Sequence, residues 1–156
     1  MNQHIELRNF TCQLVIFQDA VARHYGLTPS DMAIYNLIVI SAQITPKQIV
    51  ERTGMSTGGT TKILDHLESV GAIIRKPNSG DRRSIVVEAT AAPLAVQGEV
   101  TTIDFDAVIE DLFNNLEQDE KAVVEKFLRH ANKRLLAQTQ NVLTSGTTLR
   151  ETSMTG

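Results

Sequence analysis

Between positions 56 and 83, five basic side chains (Lys62, Arg75, Lys76, Arg82 and Arg83) are set against three acids, Asp65, Glu68 and Asp81. The local balance is +2 in a chain whose net charge is −3. Residues 99–125 go the other way, with nine acids against Lys121, a balance of −8. Charge is segregated, and the positive segment is where the phosphates of a nucleic acid would lie. A two-residue excess also arises by chance. The chemistry therefore has to be argued from the elements that carry these charges.

The remaining reactive side chains form no constellation. His4, His24, His66 and His130 lack the close spacing of a metal site, so no metal is expected. Cys12 is the single cysteine and cannot form an internal disulfide, which makes a reducing cytoplasm the default compartment. A redox-sensing thiol needs a neighbour that lowers its pKa, and neither Arg8 nor Asp19 makes that case. Packing is the commoner role for such a residue, so sensing at Cys12 is a minor reading. There is no Gly-rich phosphate loop and no nucleophile motif, and the acids of 99–125 read as a solvated helix face. Neither an enzyme nor a bound cofactor is expected.

At 156 residues the chain suits one compact domain or two lobes. A chain of this size buries about 68–70% of its unfolded surface and needs no disulfide staples. The start, Met1-Asn2-Gln3-His4-Ile5-Glu6, does not read as a signal peptide. The longest strongly apolar run, Leu37-Ile38-Val39-Ile40, is far short of the roughly 20 residues that span a bilayer.

The elements that must position the charges can be read from caps and periodicity. Thr45-Pro46-Lys47-Gln48 is a capping box with Pro at the first helical position. The helix it opens stops at Gly54, suited to the positive φ of a helix end. Met55 plugs the turn and Ser56 caps a second helix, with Thr60, Ile63, Leu64, Leu67 and Val70 at 3–4 spacing, ended by Gly71. Ile73-Ile74 and Ile85-Val86-Val87 then flank Pro77-Asn78-Ser79-Gly80-Asp81-Arg82-Arg83, a hairpin with charges at its tip. Helix, turn, helix and hairpin in this order form a winged helix-turn-helix, a device that puts one helix into a DNA groove.

Other elements flank this centre. Residues 4–25 read as a helix with Phe10, Leu14, Phe17 and Val21 on one face. Thr28-Pro29-Ser30-Asp31 opens another, carrying Ile34, Leu37 and Ile38 and ending near Gln43. Ile44 suits a short strand beside the hairpin. Thr90-Ala91-Ala92-Pro93 opens a helix expected to reach about Leu116, with Val96, Val100, Ile103, Phe105, Val108, Ile109, Leu112 and Phe113 on its face. The β-branched run Thr101-Thr102-Ile103 is a weak spot in it. Glu117-Gln118-Asp119-Glu120 starts a last helix with Val124, Phe127, Leu128, Ala131 and Leu135 on one face. Thr144 to Gly156 is Thr/Ser/Gly-rich and is expected as a flexible tail.

The expected fold is mainly α with a small β-wing. Residues 28–90 form the winged lobe; residues 1–27 and 91–143 form a helical dimerisation region; residues 144–156 form the tail. The helices at both chain ends have apolar faces wider than one small module should cover, which a second copy would bury. A symmetric dimer suits a DNA reader, since two recognition helices about 34 Å apart read the half-sites of a palindrome.

From Ser56 to Thr90 the chain resembles the MarR family of bacterial regulators. The resemblance is carried by Thr60-Thr61-Lys62, Leu67-Glu68-Ser69-Val70-Gly71, Ile73-Ile74-Arg75-Lys76, Gly80-Asp81-Arg82-Arg83 and Ala89-Thr90. It covers about residues 27–90 in detail, and the flanking helices match only in length and periodicity. It implies that Ser56, Thr57, Thr60, Thr61 and Lys62 face the major groove or its phosphates, with Arg75 and Arg82 adding contacts. The helix start also favours phosphate through its free N–H groups and dipole. Arg83 would enter the minor groove, where negative potential is concentrated, and Asp81 would hold the wing tip.

The resemblance further implies a small, often aromatic and anionic effector between the dimer helices and the DNA lobe. Arg23, His24, Tyr25 and Tyr35 lie at that junction. Gly58 and Gly59 depart from a good helix start, at about 1 kcal/mol each against Ala. They suit either close backbone approach to DNA or an irregular first turn. The expected function is a dimeric, cytoplasmic, DNA-binding transcriptional repressor that reads a pseudo-palindromic operator and responds to a small molecule. Two alternatives use the same residues. One is a winged module that binds protein through its acidic helices, and the other a thiol-based redox-sensing regulator using Cys12.

Overall fold

The computed structural model describes residues 2–81, 83–90 and 105–153. Among them the chain forms α1 (Gln3–His24), α2 (Pro29–Ser41), α3 (Pro46–Thr53), α4 (Thr57–Ser69), β1 (Ile73–Pro77), β2 (Ile85–Ala89), α5 (Phe105–Asn114) and α6 (Gln118–Ser153). This is the expected mainly helical architecture with a small two-stranded wing. The chain divides into two compact units, Met1–Ile103 and Asp104–Gly156. The division differs from the expected one, because α1 clusters with the winged lobe through its packing on α2.

In the first unit, α2 and α3 start alike. The Thr28 hydroxyl accepts from the Asp31 N–H at 3.1 Å, and the Asp31 carboxylate accepts from the Thr28 N–H at 2.8 Å. Thr45 and Gln48 repeat the exchange at 3.2 and 2.9 Å. Pro29 and Pro46 occupy first-turn positions where a missing N–H costs nothing. α3 ends at Gly54, whose φ of 69° needs no side chain to be accommodated.

The α2–α3 connection is tighter than a helix reaching Gln43 would allow. Ala42 has φ 57° and ψ −53°, and the Gln43 N–H donates to the Ser41 carbonyl at 2.6 Å. This is a γ-turn of the rare positive-φ kind, strained for an L-residue. It ends α2 at Ser41 and delivers Ile44 to the wing, where Ile44 and Val87 exchange backbone bonds of 3.2 and 2.8 Å. The short strand expected at Ile44 is therefore one bridge long.

β1 and β2 pair antiparallel from Ile73↔Ala89 to Pro77↔Ile85. Thr90 closes the base of the hairpin, its N–H on the Ala72 carbonyl at 3.0 Å and its hydroxyl on the Gly71 carbonyl at 2.8 Å. The core beneath is made of Ala22, Leu27, Ile34, Ile38, Ile49, Leu64, Leu67, Ile73 and Val87, all buried. α1 feeds this core only at its end. Val21 is buried and Phe17 packs on the cluster, while Phe10 and, beside it, Ile5, Leu7, Val15 and Ile16 are exposed.

In the second unit, α5 covers part of the helix expected from Thr90. Its proposed start at Ala91-Ala92-Pro93, the weak spot at Thr101 and the face residues Val96, Val100 and Ile103 lie outside the described residues. α6 is primed by Glu117, whose N–H donates to the Glu120 carboxylate at 2.9 Å. It runs 36 residues, about 54 Å at 1.5 Å per residue. The expected tail is corrected here, because residues 144–153 continue the helix. Thr144 and Ser145 fit it by donating their hydroxyls to the carbonyls of Gln140 and Asn141, at 2.9 and 2.8 Å. Val123, Phe127, Leu128, Leu135, Leu136 and Val142 are exposed along α6. No helix among the described residues is long and apolar enough to cross a membrane.

Candidate nucleic-acid interface

α4 is held at its front by Ser56, whose Oγ accepts from the Gly59 N–H at 3.1 Å. Its core stripe is Thr60, Ile63, Leu64 and Leu67, all buried. Gly58, Thr61 and Lys62 are exposed away from that stripe, and Thr57, on its flank in the first turn, is exposed as well. Thr61 uses its hydroxyl within the helix, donating to the Thr57 carbonyl at 2.9 Å. Beside this face, α3 and α4 leave a groove of about 410 Å³ lined by Pro46, Lys47, Val50, Glu51, Thr57, Thr60 and Thr61.

Thr60, expected to face the major groove, lies on the core side of α4. It shares the helical phase of Ile63, Leu64 and Leu67 and is only 1% exposed. Its Oγ1 is buried without a hydrogen-bond partner among the described residues. Ser56 remains exposed, with its hydroxyl committed to the cap.

The wing redistributes the positive charge counted in the sequence. The Arg75 guanidinium pairs with Glu68 and, at 2.6 Å, with Asp65. Arg75 thus bridges β1 to α4. Lys76 donates to Glu88 at 2.5 Å, and Gln43 donates to the same carboxylate at 2.5 Å. The Lys76 bond first, and the Gln43 bond second, hold the Glu88 carboxyl below its ordinary pKa.

The wing tip is closed by its own side chains. Asn78 Oδ1 accepts from the Gly80 N–H at 3.0 Å, and Asn78 Nδ2 donates to Ser84 Oγ at 2.9 Å. Asp81 Oδ1 accepts from the Arg83 N–H at 3.0 Å, so the acid fixes the backbone that carries the base. Arg83 is exposed at this tip. Arg82 lies outside the described residues. Lys62 and Arg83 are both exposed.

The residues considered for an effector are placed as follows. Arg23 pairs with Asp19 at 2.8 Å on the exposed side of α1. His24 and Tyr25 meet edge to face with ring centres 5.2 Å apart. Tyr25 and Tyr35 are half-buried and pack against the core cluster. Cys12 is exposed on α1.

One residue was missed by sequence reasoning. His66 reaches from α4 to the buried Asp31 at the start of α2, Nδ1 to Oδ2, 3.0 Å. Its available signal was Asp31 itself, an acid at the third position of a capped helix with an oxygen able to accept more than the cap.

Residues 25–84 match the model of the MarR family. An uncharacterised helix-turn-helix transcriptional regulator of Bacillus subtilis, YcgE, is 31% identical over 80 residues, 51% of this chain and 52% of that protein. The match thus spans about half the length of that relative. The multiple antibiotic resistance protein MarR of Escherichia coli is 27% identical over 103 residues, 66% of this chain and 72% of that protein. Among solved structures, Streptococcus pneumoniae FabT in complex with DNA aligns with a TM-score of 0.59 and 21% identity, over 86% of this chain and 97% of that one. That last likeness speaks to the fold. It agrees with the order of helix, helix and wing built above from this chain's own caps and pairings, which lies largely within the segment, residues 25–84, that matches the MarR family model.

Proposed function

We propose that this protein is a DNA-binding transcriptional regulator that acts as a homodimeric repressor on a pseudo-palindromic operator. The observation that carries the reading is the two-faced α4. One side is locked into the core, and the other presents Gly58, Thr61 and Lys62 to solvent, with Thr57 exposed on the flank. Arg83, on a closed wing tip, adds a second exposed cation. A helix in the major groove with an Arg in the adjacent minor groove uses both features.

The exposed apolar side chains of α1 and α6 support a dimer, built from residues 1–27 and 91–143. Two copies would set their α4 helices one DNA turn apart, about 34 Å. A small aromatic or anionic molecule bound near Arg23, His24, Tyr25 and Tyr35 would release DNA by favouring a different spacing of the two lobes. Such a ligand shifts the equilibrium only by its differential affinity for the two spacings.

The test is a gel shift with a duplex selected by the protein from a random-sequence pool. Binding should fall steeply between about 50 and 200 mM salt, as counterion release requires. Arg83→Ala should weaken binding about tenfold or more while leaving the oligomeric state unchanged. No binding at low salt would reject the regulator reading. Equal affinity of the mutant would reject the role of Arg83.

A further inference from the structure

The glycines of the first unit divide by what a side chain would meet at each. Gly26, Gly54 and Gly71 have positive φ, which accounts for them. Gly59 is helical, but a Cβ there would lie 3.1 Å from Ser56 Oγ, the atom that caps the helix. Gly59 therefore belongs to the cap. Gly58 has neither reason. Its φ is not positive, and an added Cβ would meet nothing within 4 Å. A Cβ would stand in open space at this position, yet the chain has none.

Its place on α4 is specific. At about 100° per residue, Gly58 lies within about 10° of the direction opposite the centre of the buried stripe Thr60, Ile63, Leu64 and Leu67. It is the point on the helix farthest from the core, between Thr61 and Lys62. It is also in the first turn, where backbone N–H groups have no acceptor inside the helix. Ser56 serves the N–H of Gly59, leaving those of Thr57 and Gly58 directed forward.

We propose that Gly58 is a specificity-determining position: its bare backbone is where α4 makes its closest approach to duplex DNA. The inference rests on the regulator reading above and adds a residue to it. A side chain here stands the helix off from the groove by the thickness of a methyl group or more. Thr57, Thr61 and Lys62 then lose reach together, although none of them has changed. Selected and unselected sequences are affected unequally, because phosphate contacts tolerate a standoff that base-edge contacts do not.

The test compares Gly58→Ala and Gly58→Leu with wild type on two probes. One is a duplex of about 30 base pairs selected by wild type from a random pool, and the other an unselected duplex of the same length. Stability should move opposite to function. Gly58→Ala should raise Tm by about 2–4 °C, the effect of replacing an exposed helical glycine in a chain of this size. The same variant should bind the selected duplex at least about tenfold more weakly and the unselected one within about threefold of wild type; Gly58→Leu should lose more on the selected duplex. Gly59→Ala, as the contrast, should lower Tm by crowding the cap. Selected-duplex binding by Gly58→Ala within twofold of wild type overturns the proposal alone, as does a lowered Tm. Failure of wild type to bind any duplex overturns the regulator reading and this inference with it.

Discussion

His66, near the end of α4, donates from Nδ1 to Oδ2 of Asp31, 3.0 Å away at the start of α2. The same oxygen accepts the N–H and the hydroxyl of Thr28, each at 2.8 Å. One buried oxygen thus caps one helix and tethers another, and the tethered helix is the one that exposes Thr57, Thr61 and Lys62. His66→Ala should lower the unfolding free energy by about 1 kcal/mol, a modest loss because the ring is half-exposed. Asp31→Ala should cost about 2 kcal/mol or more, since the capping box goes with it. In urea unfolding, the double mutant should lose less than the sum. Additive losses would mean that the two side chains act separately.

Ala42 carries the one non-glycine positive φ among the described residues, in the turn between α2 and α3. Ala42→Gly relieves a strain of about 1–3 kcal/mol and gives back roughly 0.5–1 kcal/mol in unfolded-chain entropy. A net gain of about 1 kcal/mol is expected, read as a higher urea midpoint with an unchanged slope. A lower midpoint would show that the turn is not strained.

Thr60 invites a test that separates core from interface. Thr60→Val replaces a buried, unpartnered hydroxyl with a methyl of similar shape. Stability should hold or rise, by up to about 1–2 kcal/mol. Operator affinity should stay within twofold. A large loss of affinity in a stable variant would return Thr60 to the set of groove contacts.

Glu88 gives the wing a pH dependence with a definite sign. Its folded pKa lies below the ordinary carboxyl value, through Lys76 first and Gln43 second. Its contribution to stability is therefore present above the unfolded pKa and is lost as pH falls through the folded one. Glu88→Gln should narrow the stability difference between about pH 7 and pH 3 relative to wild type. Parallel pH profiles for the two proteins would argue against any contribution from this carboxylate.

The helix starts were legible because capping is local. Thr28 and Asp31, or Thr45 and Gln48, lie within one turn of each other and need nothing else to be recognised. The ends at Gly54 and Gly71 are local in the same way. Partners brought together by folding were not legible. Arg75 and Lys76 looked like free cations, and only the docking of β1 on α4 and β2 supplies Asp65, Glu68 and Glu88. The separation of 35 positions between Asp31 and His66 hid that tether for the same reason. Thr60 was ambiguous because its phase pointed to the core and its hydroxyl to a polar partner; phase prevailed. At residues 144–153, composition argued for a tail and the continuing helix overrode it.

The self-closed wing tip has a thermodynamic consequence. A loop that becomes ordered only on meeting its partner loses about 1–2 kcal/mol of backbone entropy per residue at that moment. Here the bonds of Asn78 to Gly80 and Ser84, and of Asp81 to Arg83, impose that order when the chain folds. In the proposed function the wing would meet DNA as a stiff probe, with little of the interaction energy consumed in shaping it. Loosening the tip would therefore weaken association even with every contacting side chain intact, because preorganisation would be lost rather than a contact.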